Sequence, residues 1–429
     1  MNFFIKEFRM LRTSSLARNA GWMFAGQGAS VLLQAAYFIL LAHLLGVRQY
    51  GIFAGAFALV GILGPYCTLG SGTVFMRYAG SQPEKFPLYW GNILLSTGLA
   101  SGASIVLLYF LAPHLIDAES ASIVLTVAVG NCLFSQMLSA MGQVFQAYEL
   151  LGMTAFLNLL TNALRTIAVG VMALLFSRIT AGQWALVSAV VSLLAALTGF
   201  LIISRRFGLP RFHLQMVFAN AFEGLGFSLG GSAQSVYNDL DKTMLSHYGM
   251  NVQNGIYTMA YRIIDIGTLP VSSIDAASLP RYFRAASENL PSVPALAFRL
   301  AKRAFFIGLV VSAVLFLSAP VVPHIVGHGY AESIQALRWL CLLPAIRGIH
   351  QLTGSAMTGM GFQRFRTIIQ FSAAGSNLLL NLWLIPKHGW QGAAWSSLAT
   401  DGALAVINCL MLMWVRKAVC RLRSTAPLG

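Results

Sequence analysis

The chain has 429 residues, of which 57% are hydrophobic and 10% charged; soluble domains carry about 25% charged residues, so a soluble fold is excluded and an integral membrane protein is implied. The formal net charge of +15 would suit nucleic acid, but the surplus falls in alternate connections between apolar segments, where it reports topology. The five cysteines, Cys67, Cys132, Cys341, Cys409 and Cys420, form no Cys-x-x-Cys pair, which supports neither a disulfide framework nor a zinc site.

In chain order, residues 1–18 come first. Phe4, Phe8 and Leu11 fall opposite Lys6, Arg9 and Arg12, the pattern of a short interfacial helix on an anionic leaflet rather than of a cleaved signal peptide. Twelve apolar segments follow, at 19–45, 51–76, 90–113, 121–145, 153–177, 183–203, 221–247, 253–280, 298–322, 333–358, 366–386 and 390–415. Each has about the 20 residues that one membrane crossing needs. The connections after even-numbered spans carry Arg77 and Lys85, then Arg205, Arg206 and Arg211, then Arg281, Arg284, Arg299, Lys302 and Arg303, then Arg364 and Arg366; the C-terminus adds Arg416, Lys417, Arg421 and Arg423. The opposite connections hold Arg48, Arg178 and Lys387. Excess Lys and Arg mark the cytoplasmic side, so both termini are expected in the cytoplasm.

The two halves repeat. At a constant offset of 204, Gly51-Ile52-Phe53 matches Gly255-Ile256-Tyr257, Ala56 matches Ala260, Ile62 matches Ile266, and Arg77-Tyr78 matches Arg281-Tyr282. Gly46 and Gly249 occupy corresponding span ends, one residue out of register. The expected fold is an all-α polytopic membrane protein with twelve transmembrane helices in two six-helix lobes around a central cavity. Its predicted parts are an interfacial segment (1–18), a first lobe (19–203), a cytoplasmic linker (204–220), a second lobe (221–415) and a basic tail (416–429). Transporters are commonly built from such repeats. Pro65, Pro270, Pro344 and Pro386 fall within or at the ends of spans, where they serve either kinks or helix packing.

Several spans carry a polar stripe at helical spacing. Span 1 has Gln27, Ser30, Gln34 and Tyr37; span 5 has Asn158, Asn162 and Arg165; span 7 has Ser228, Ser232, Ser235, Asp239 and Lys242, with Asp241 beside it. Span 8 has Thr258, Arg262, Asp265, Thr268, Ser272 and Asp275; span 10 has Arg347, Gln351 and Thr358. Uncharged members serve equally well as glue between membrane helices. The charges are harder to explain that way. Arg165, Lys242, Arg262 and Arg347 each cost roughly 2.5–3.5 kcal/mol near the bilayer centre on insertion scales. Arg165 lies roughly 18 Å along its helix and has no acid in its own span; Arg347 is similar. Lys242 has Asp239, and Arg262 has Asp265, three residues away. Asp401, central in span 12, either neutralises Arg347 or carries a coupling proton. The four cations are candidates for holding an anion partway across the membrane, with Asn158 and Asn162 beside them; Asp239, Asp241, Asp265, Asp275 and Asp401 are candidates for charge pairing or ion coupling. His324 and His328 lack a third ligand, so no metal is expected. No phosphate-binding loop, serine-elbow or zinc-helix motif occurs, so neither a cofactor nor catalysis is expected.

The stretch Ala42-His43-Leu44-Leu45-Gly46-Val47-Arg48-Gln49-Tyr50-Gly51-Ile52-Phe53 resembles the span 1–2 signature of the polysaccharide (O-antigen-type) flippases, a branch of the superfamily that includes the multidrug and toxin extruders. Asp241-Lys242, Gly249, Gly255-Ile256-Tyr257 and Ala260-Tyr261-Arg262 resemble that family's second-lobe pattern. Asn381-Leu382-Trp383-Leu384-Ile385-Pro386, with Gly389 and Gly392-Ala393-Ala394, resembles its span 11–12 turn. His43 stands where the signature has Arg. The resemblance covers nearly the whole chain. It implies an alternating-access flippase that moves an undecaprenyl-diphosphate-linked oligosaccharide from the cytoplasmic to the periplasmic leaflet of a bacterial inner membrane. It also implies a polysaccharide polymerase and other assembly proteins as partners. A diphosphate suits Arg, which pairs with phosphate by charge-assisted, often bidentate hydrogen bonds. The alternative is a multidrug or cation antiporter of the same fold. Against it, spans 1–6 contain no acid away from their ends, and Arg165 would repel a cation. A glycosyltransferase or polymerase fits less well, because the outward loops are short, with Asp117, Glu119 and Glu332 as their only acids.

Overall fold

Inside lipid every backbone N–H and C=O must find its partner within the protein, which leaves helices or closed barrels as spanning structures. The computed structural model describes residues 15–79 and 83–425, and among them there is no strand. The interfacial segment expected over 1–18 lies outside the described residues apart from its last four, as do the side chains of Gln27, Asn220, Arg421 and Arg423.

Helix Ser15–Leu63 bends at Gly46 (φ 69, ψ 166), so it forms two rods, α1 (15–45) and α2 (47–79); α2 is interrupted by a 3-10 turn at Gly64–Tyr66 that contains Pro65. The others are α3 (Phe86–Leu115), α4 (Ala118–Ala147), α5 (Leu151–Leu175), α6 (Ala181–Phe207), α7 (Leu214–His247), α8 (Asn251–Asn289), α9 (Ser292–Ser318), α10 (333–359), α11 (Gln363–His388) and α12 (Trp390–Thr425). Twelve rods therefore match the twelve predicted spans, although α7 starts earlier and α8 ends later than hydropathy placed them. Among the described residues, eight helical stretches are long and apolar enough to cross a membrane, one of them, Gly28–Tyr78, containing both α1 and α2. Helix α8, which carries Arg262, Asp265 and Asp275, is too polar along its length to count among them, and α10 is broken by a turn at Cys341–Leu342 into two pieces, each shorter than a span.

The chain forms two compact units, Met1–Ser235 and Val236–Gly429. The division falls inside α7 rather than in the 204–220 connection. The reason is local: Gly224 lies so close to Leu69 that a Cβ there would meet its carbonyl oxygen at 1.8 Å, which fastens the first half of α7 to the first unit.

The sequence repeat is a repeat of turns. Gly46 and Gly249 both have φ +69, a left-handed conformation that glycine adopts without a Cβ penalty. After Gly249 the Met250 N–H bonds Leu245 O at 2.9 Å and the Gly249 N–H bonds Ser246 O at 2.9 Å, the double closure of a helix C-terminus. The same closure ends α4 at Glu149 (φ 57) and α10 at Gly361 (φ 85), through Leu150 N to Phe145 O and Phe362 N to Met357 O, each 2.8 Å.

A second matched device joins distant helices. The Ala181 N–H, at the start of α6, donates to Gln49 Oε1 at 2.9 Å, and the Trp390 N–H, at the start of α12, donates to Gln253 Oε1 at 3.0 Å. Gln49 and Gln253 are related by the offset of 204. Helix N-termini expose N–H groups with no intrahelical partner; here the second helix of each repeat caps the sixth. A Cβ at Gly389 would lie 1.6 Å from Gln253 Oε1, so glycine is what admits the carboxamide.

Packing within each unit depends on small residues, as expected where lipid removes the hydrophobic drive between helices. A Cβ at Gly308 on α9 would be 2.5 Å from Ala345 Cα on α10, and one at Gly130 on α4 would be 3.0 Å from Ala189 Cα on α6. An aromatic layer closes one end of the first unit, where Tyr148 stacks on Phe207 at 4.8 Å and Phe86 lies 5.3 Å from the same ring. Gln49→Ala and Gln253→Ala each leave a helix-start N–H without its partner. Each is expected to cost about 1–3 kcal/mol and to lower the thermal midpoint of the detergent-purified protein, with Gln→Glu at either position losing less.

Candidate functional site

In the first unit α1, α4 and α5 surround a cavity of about 460 Å³. Its wall is almost wholly polar: Ser30 and Gln34 from α1, Asn131, Ser135, Ser139, Gln143 and Gln146 from α4, and Thr154, Asn158, Thr161, Asn162 and Arg165 from α5. Thr154 and Arg165 are eleven residues apart, so the cavity follows α5 for about 16 Å. The α1–α5 wall is fixed by Asn162 Nδ2 donating to Ser30 Oγ at 2.5 Å and by Thr166 Oγ1 donating to Leu33 O at 3.0 Å. Arg165 stands at one end. Its guanidinium makes two long contacts, to Ser135 Oγ at 3.5 Å and Ser192 Oγ at 3.4 Å, and its Nε is buried without a hydrogen-bond partner. Among the described residues no carboxylate comes within ion-pair distance of Arg165. The cavity therefore presents amides, hydroxyls and one uncompensated cation, a surface suited to an oxygen-rich anion.

The second unit treats its charges in the opposite way. Arg347, 7% exposed on α10, donates through Nε to Asp401 at 3.5 Å, through one terminal nitrogen to Asp265 at 3.1 Å, and through the other to Tyr261 Oη at 2.7 Å. Asp401, fully buried on α12, also accepts from Tyr237 Oη at Oδ1, and His350 Nε2 lies 3.2 Å from the same oxygen. Lys242 reaches Asp239 at 3.1 Å and the Asn238 carbonyl at 2.6 Å. Both cations lie near the Tyr261 ring, with Lys242 Nζ 4.8 Å and Arg347 Cζ 5.2 Å from its centroid, within cation–π range. Asp241 accepts the Lys242 backbone N–H at 2.8 Å, the Ser397 hydroxyl at 3.3 Å and the Tyr257 hydroxyl.

A family model described as polysaccharide biosynthesis protein matches residues 16–286. The chain belongs to the polysaccharide biosynthesis protein family. Solved structures share the fold. An inward-facing multidrug resistance MATE transporter of the MOP superfamily superposes with a TM-score of 0.73 at 17% identity, covering 92% of this chain and 96% of that one. The lipid II flippase MurJ in an inward closed conformation gives 0.72 at 15% identity, covering 92% and 87%. The MATE multidrug transporter DinF-BH gives 0.68 at 16% identity, covering 94% and 95%. A comparison with curated proteins found no significant match.

The family-like residues of the second unit now have physical roles. Asp241, Tyr257 and Ser397 bind one another across α7, α8 and α12. Tyr261 positions Arg347, and Asn381 donates to Asn377 on the next turn of α11 at 2.8 Å. Of the predicted site residues, the structure gathers Asn158, Asn162 and Arg165 on one cavity wall, and gathers buried Asp241, Lys242, Arg347 and Asp401 with the partly exposed Asp239 and Asp265 into one polar cluster. Arg262 and Asp275 are half-buried elsewhere along α8. The i,i+3 geometry that links Arg262 to Asp265 in sequence does not decide the pairing: Asp265 engages Arg347 from α10. Arg347 has no acid on its own helix but finds two on neighbouring ones. Sequence reasoning missed Asn131, Ser135, Ser192, Tyr237, Tyr261 and His350. The Tyr261 signal was present in the Ala260-Tyr261-Arg262 motif; Asn131 and Ser135 had none, because their placement depends on a π-helical stretch, Val129–Ser135.

Breaking a buried pair by removing one partner costs about 3–5 kcal/mol, whereas replacing both partners can be nearly neutral. Asp401→Ala is expected to destabilise the detergent-purified protein strongly in thermal melts. Asp401→Asn combined with Arg347→Met is expected to be more stable than Asp401→Ala alone, since Asp265 has solvent to replace its lost partner.

Proposed function

We propose that this protein is a lipid flippase rather than an enzyme. In this reading it moves an undecaprenyl-diphosphate-linked oligosaccharide by alternating access from the cytoplasmic to the periplasmic leaflet of a bacterial inner membrane, for surface polysaccharide synthesis. The carrying observation is the polar cavity of the first unit with Arg165 and, among the described residues, no opposing carboxylate. A diphosphate is a strong anion, and guanidinium–phosphate hydrogen bonds are among the strongest a side chain makes. The amides and hydroxyls along α4 and α5 match the oxygen-rich glycan, while the prenyl chain stays in lipid. Family membership and a fold shared with a lipid II flippase support the same reading. Lys242 and Arg347 are held by acids and serve the frame of the second unit; Arg262 remains a candidate second anion contact. The density of Lys and Arg on the connections after even-numbered helices supports cytoplasmic termini. A polysaccharide polymerase and other assembly proteins would take the product onward.

The rival reading, export of organic cations, draws on the MATE relatives. It requires a cation to settle beside Arg165 with no carboxylate in the cavity wall. The test is transfer of a polyprenyl-diphosphate-linked disaccharide between leaflets of proteoliposomes. Losing one charge-assisted contact of about 1.5–3 kcal/mol corresponds to roughly a 10- to 150-fold loss, expected for Arg165→Ala, with Arg165→Lys losing less. In cells the Ala variant accumulates lipid-linked sugar on the cytoplasmic face. Wild-type transfer by Arg165→Ala, or resistance to cationic drugs on overexpression of the native protein, would sink the proposal.

A further inference from the structure

At its Arg165 end the cavity of the first unit meets a second, much smaller space of about 10 Å³, lined by Phe53 and Phe57 of α2, part of α4, and Ala185 and Ser188 of α6. The two spaces have two lining residues in common, Asn131 and Arg165. These side chains form the layer at which the large cavity stops.

Asn131 reaches that layer through an irregularity in α4. The stretch Val129–Ser135 is π-helical; such single-turn bulges insert one extra residue and are frequent at functional sites. One extra residue rotates the following face by about 100° relative to an uninterrupted helix of 3.6 residues per turn. The turn is held from two sides. Ser101 of α3, itself fully buried, donates its hydroxyl to Cys132 O at 2.6 Å and lies 3.3 Å from Cys67 O. Gly130 lets α6 approach until Ala189 Cα would be 3.0 Å from a Cβ there. Ser135, at the end of the same turn, supplies one of the two contacts to Arg165. Among the described residues none hydrogen-bonds the Asn131 carboxamide, although it is half-buried beside a guanidinium with an unused Nε.

Resting on the flippase reading, we infer that Asn131 is a second substrate-contacting residue, whose amide N–H donates to the phosphoryl oxygens that Arg165 binds, and that Ser101 is the positioning residue that holds the π turn presenting it. A neutral side chain is what this place requires. A carboxylate at 131 would pair with Arg165 and repel a phosphoryl group, yet would accept from a sugar hydroxyl without difficulty. The substitution Asn131→Asp, nearly identical in shape, therefore separates the two chemistries.

The experiment is the same proteoliposome assay with polyprenyl-diphosphate-linked disaccharide, run as a function of substrate density and paired with thermal melts. Asn131→Ala is expected to raise the half-saturating density by about three- to tenfold, the equivalent of one ordinary hydrogen bond. Asn131→Asp is expected to lose more than Asn131→Ala. Ser101→Ala is expected to shift half-saturation in the same direction without changing the maximal rate, to be rescued by Ser101→Thr, and to add nothing to Asn131→Ala. Wild-type transfer by Asn131→Asp overturns the phosphoryl assignment, and additive Ser101 and Asn131 effects overturn the positioning role. Should Asn131→Asp fail to fold, an unchanged half-saturation in Asn131→Ala overturns the inference by itself. Impairment in Arg165→Ala with no effect at 131 removes only this inference, whereas no effect at 165 removes the flippase site with it.

Discussion

A charge held inside a membrane must be matched by a partner or kept for a ligand, and the two units of this protein answer that constraint differently. In the second unit Arg347 is shared by Asp265, Asp401 and Tyr261, and Lys242 by Asp239 and the Asn238 carbonyl. Each bond lowers a cost that would otherwise argue against insertion. The acids come from α7, α8 and α12 while Arg347 comes from α10, so the charges also fix which helices lie together. In the first unit Arg165 has, among the described residues, two serine hydroxyls at the limit of hydrogen-bond length. The same frame thus supports a cluster in which each cation has an acidic partner in one unit and, among the described residues, a cation without a carboxylate partner in the other.

That frame is shared at the level of turns more than of side chains. Gly46 and Gly249 turn the chain with the same φ, and Gln49 and Gln253 each cap the sixth helix of their repeat. None of these four residues lines the polar cavity of the first unit. Helix starts and reversals are where backbone groups are otherwise left open, and lipid offers them nothing. A duplicated lobe can therefore change its cavity residues freely while its turns and caps stay fixed, as the contrast between Arg165 and the Arg347 cluster shows.

Much of this was legible in the amino-acid sequence, for physical reasons that also explain what was not. Twelve apolar runs and their alternating basic connections follow from bilayer thickness and charge placement, and each corresponds to an observed rod. The offset of 204 was visible in Gly255-Ile256-Tyr257, and Gln49 and Gln253 obey it, but nothing in a glutamine announces that its carboxamide will meet a helix start more than a hundred residues away. The stripe of Asn158, Asn162 and Arg165 was readable because α5 keeps one helical period throughout. Its opposite wall was not, because α4 changes period at Val129–Ser135 and any projection at 3.6 residues per turn loses register there. The pairing of Asp265 failed for a related reason: spacing on one helix says which side chains share a face, not which neighbouring helix competes for them.

The π turn also bears on how the first unit can keep Arg165 unneutralised. An isolated guanidinium at this depth would draw water or a neighbouring acid if its surroundings could move. Here Ser135 and Ser192 touch it from α4 and α6, Ser101 fastens the turn that carries Ser135, and Gly130 against Ala189 keeps α4 and α6 close. The cation is enclosed by hydroxyls that orient it without discharging it. Because serine contacts of 3.4–3.5 Å are weaker than the charge-assisted bonds that a phosphate makes, a ligand of the proposed kind would replace them at little cost. A carboxylate in the same place would have made the site more stable when empty and closed it to anions.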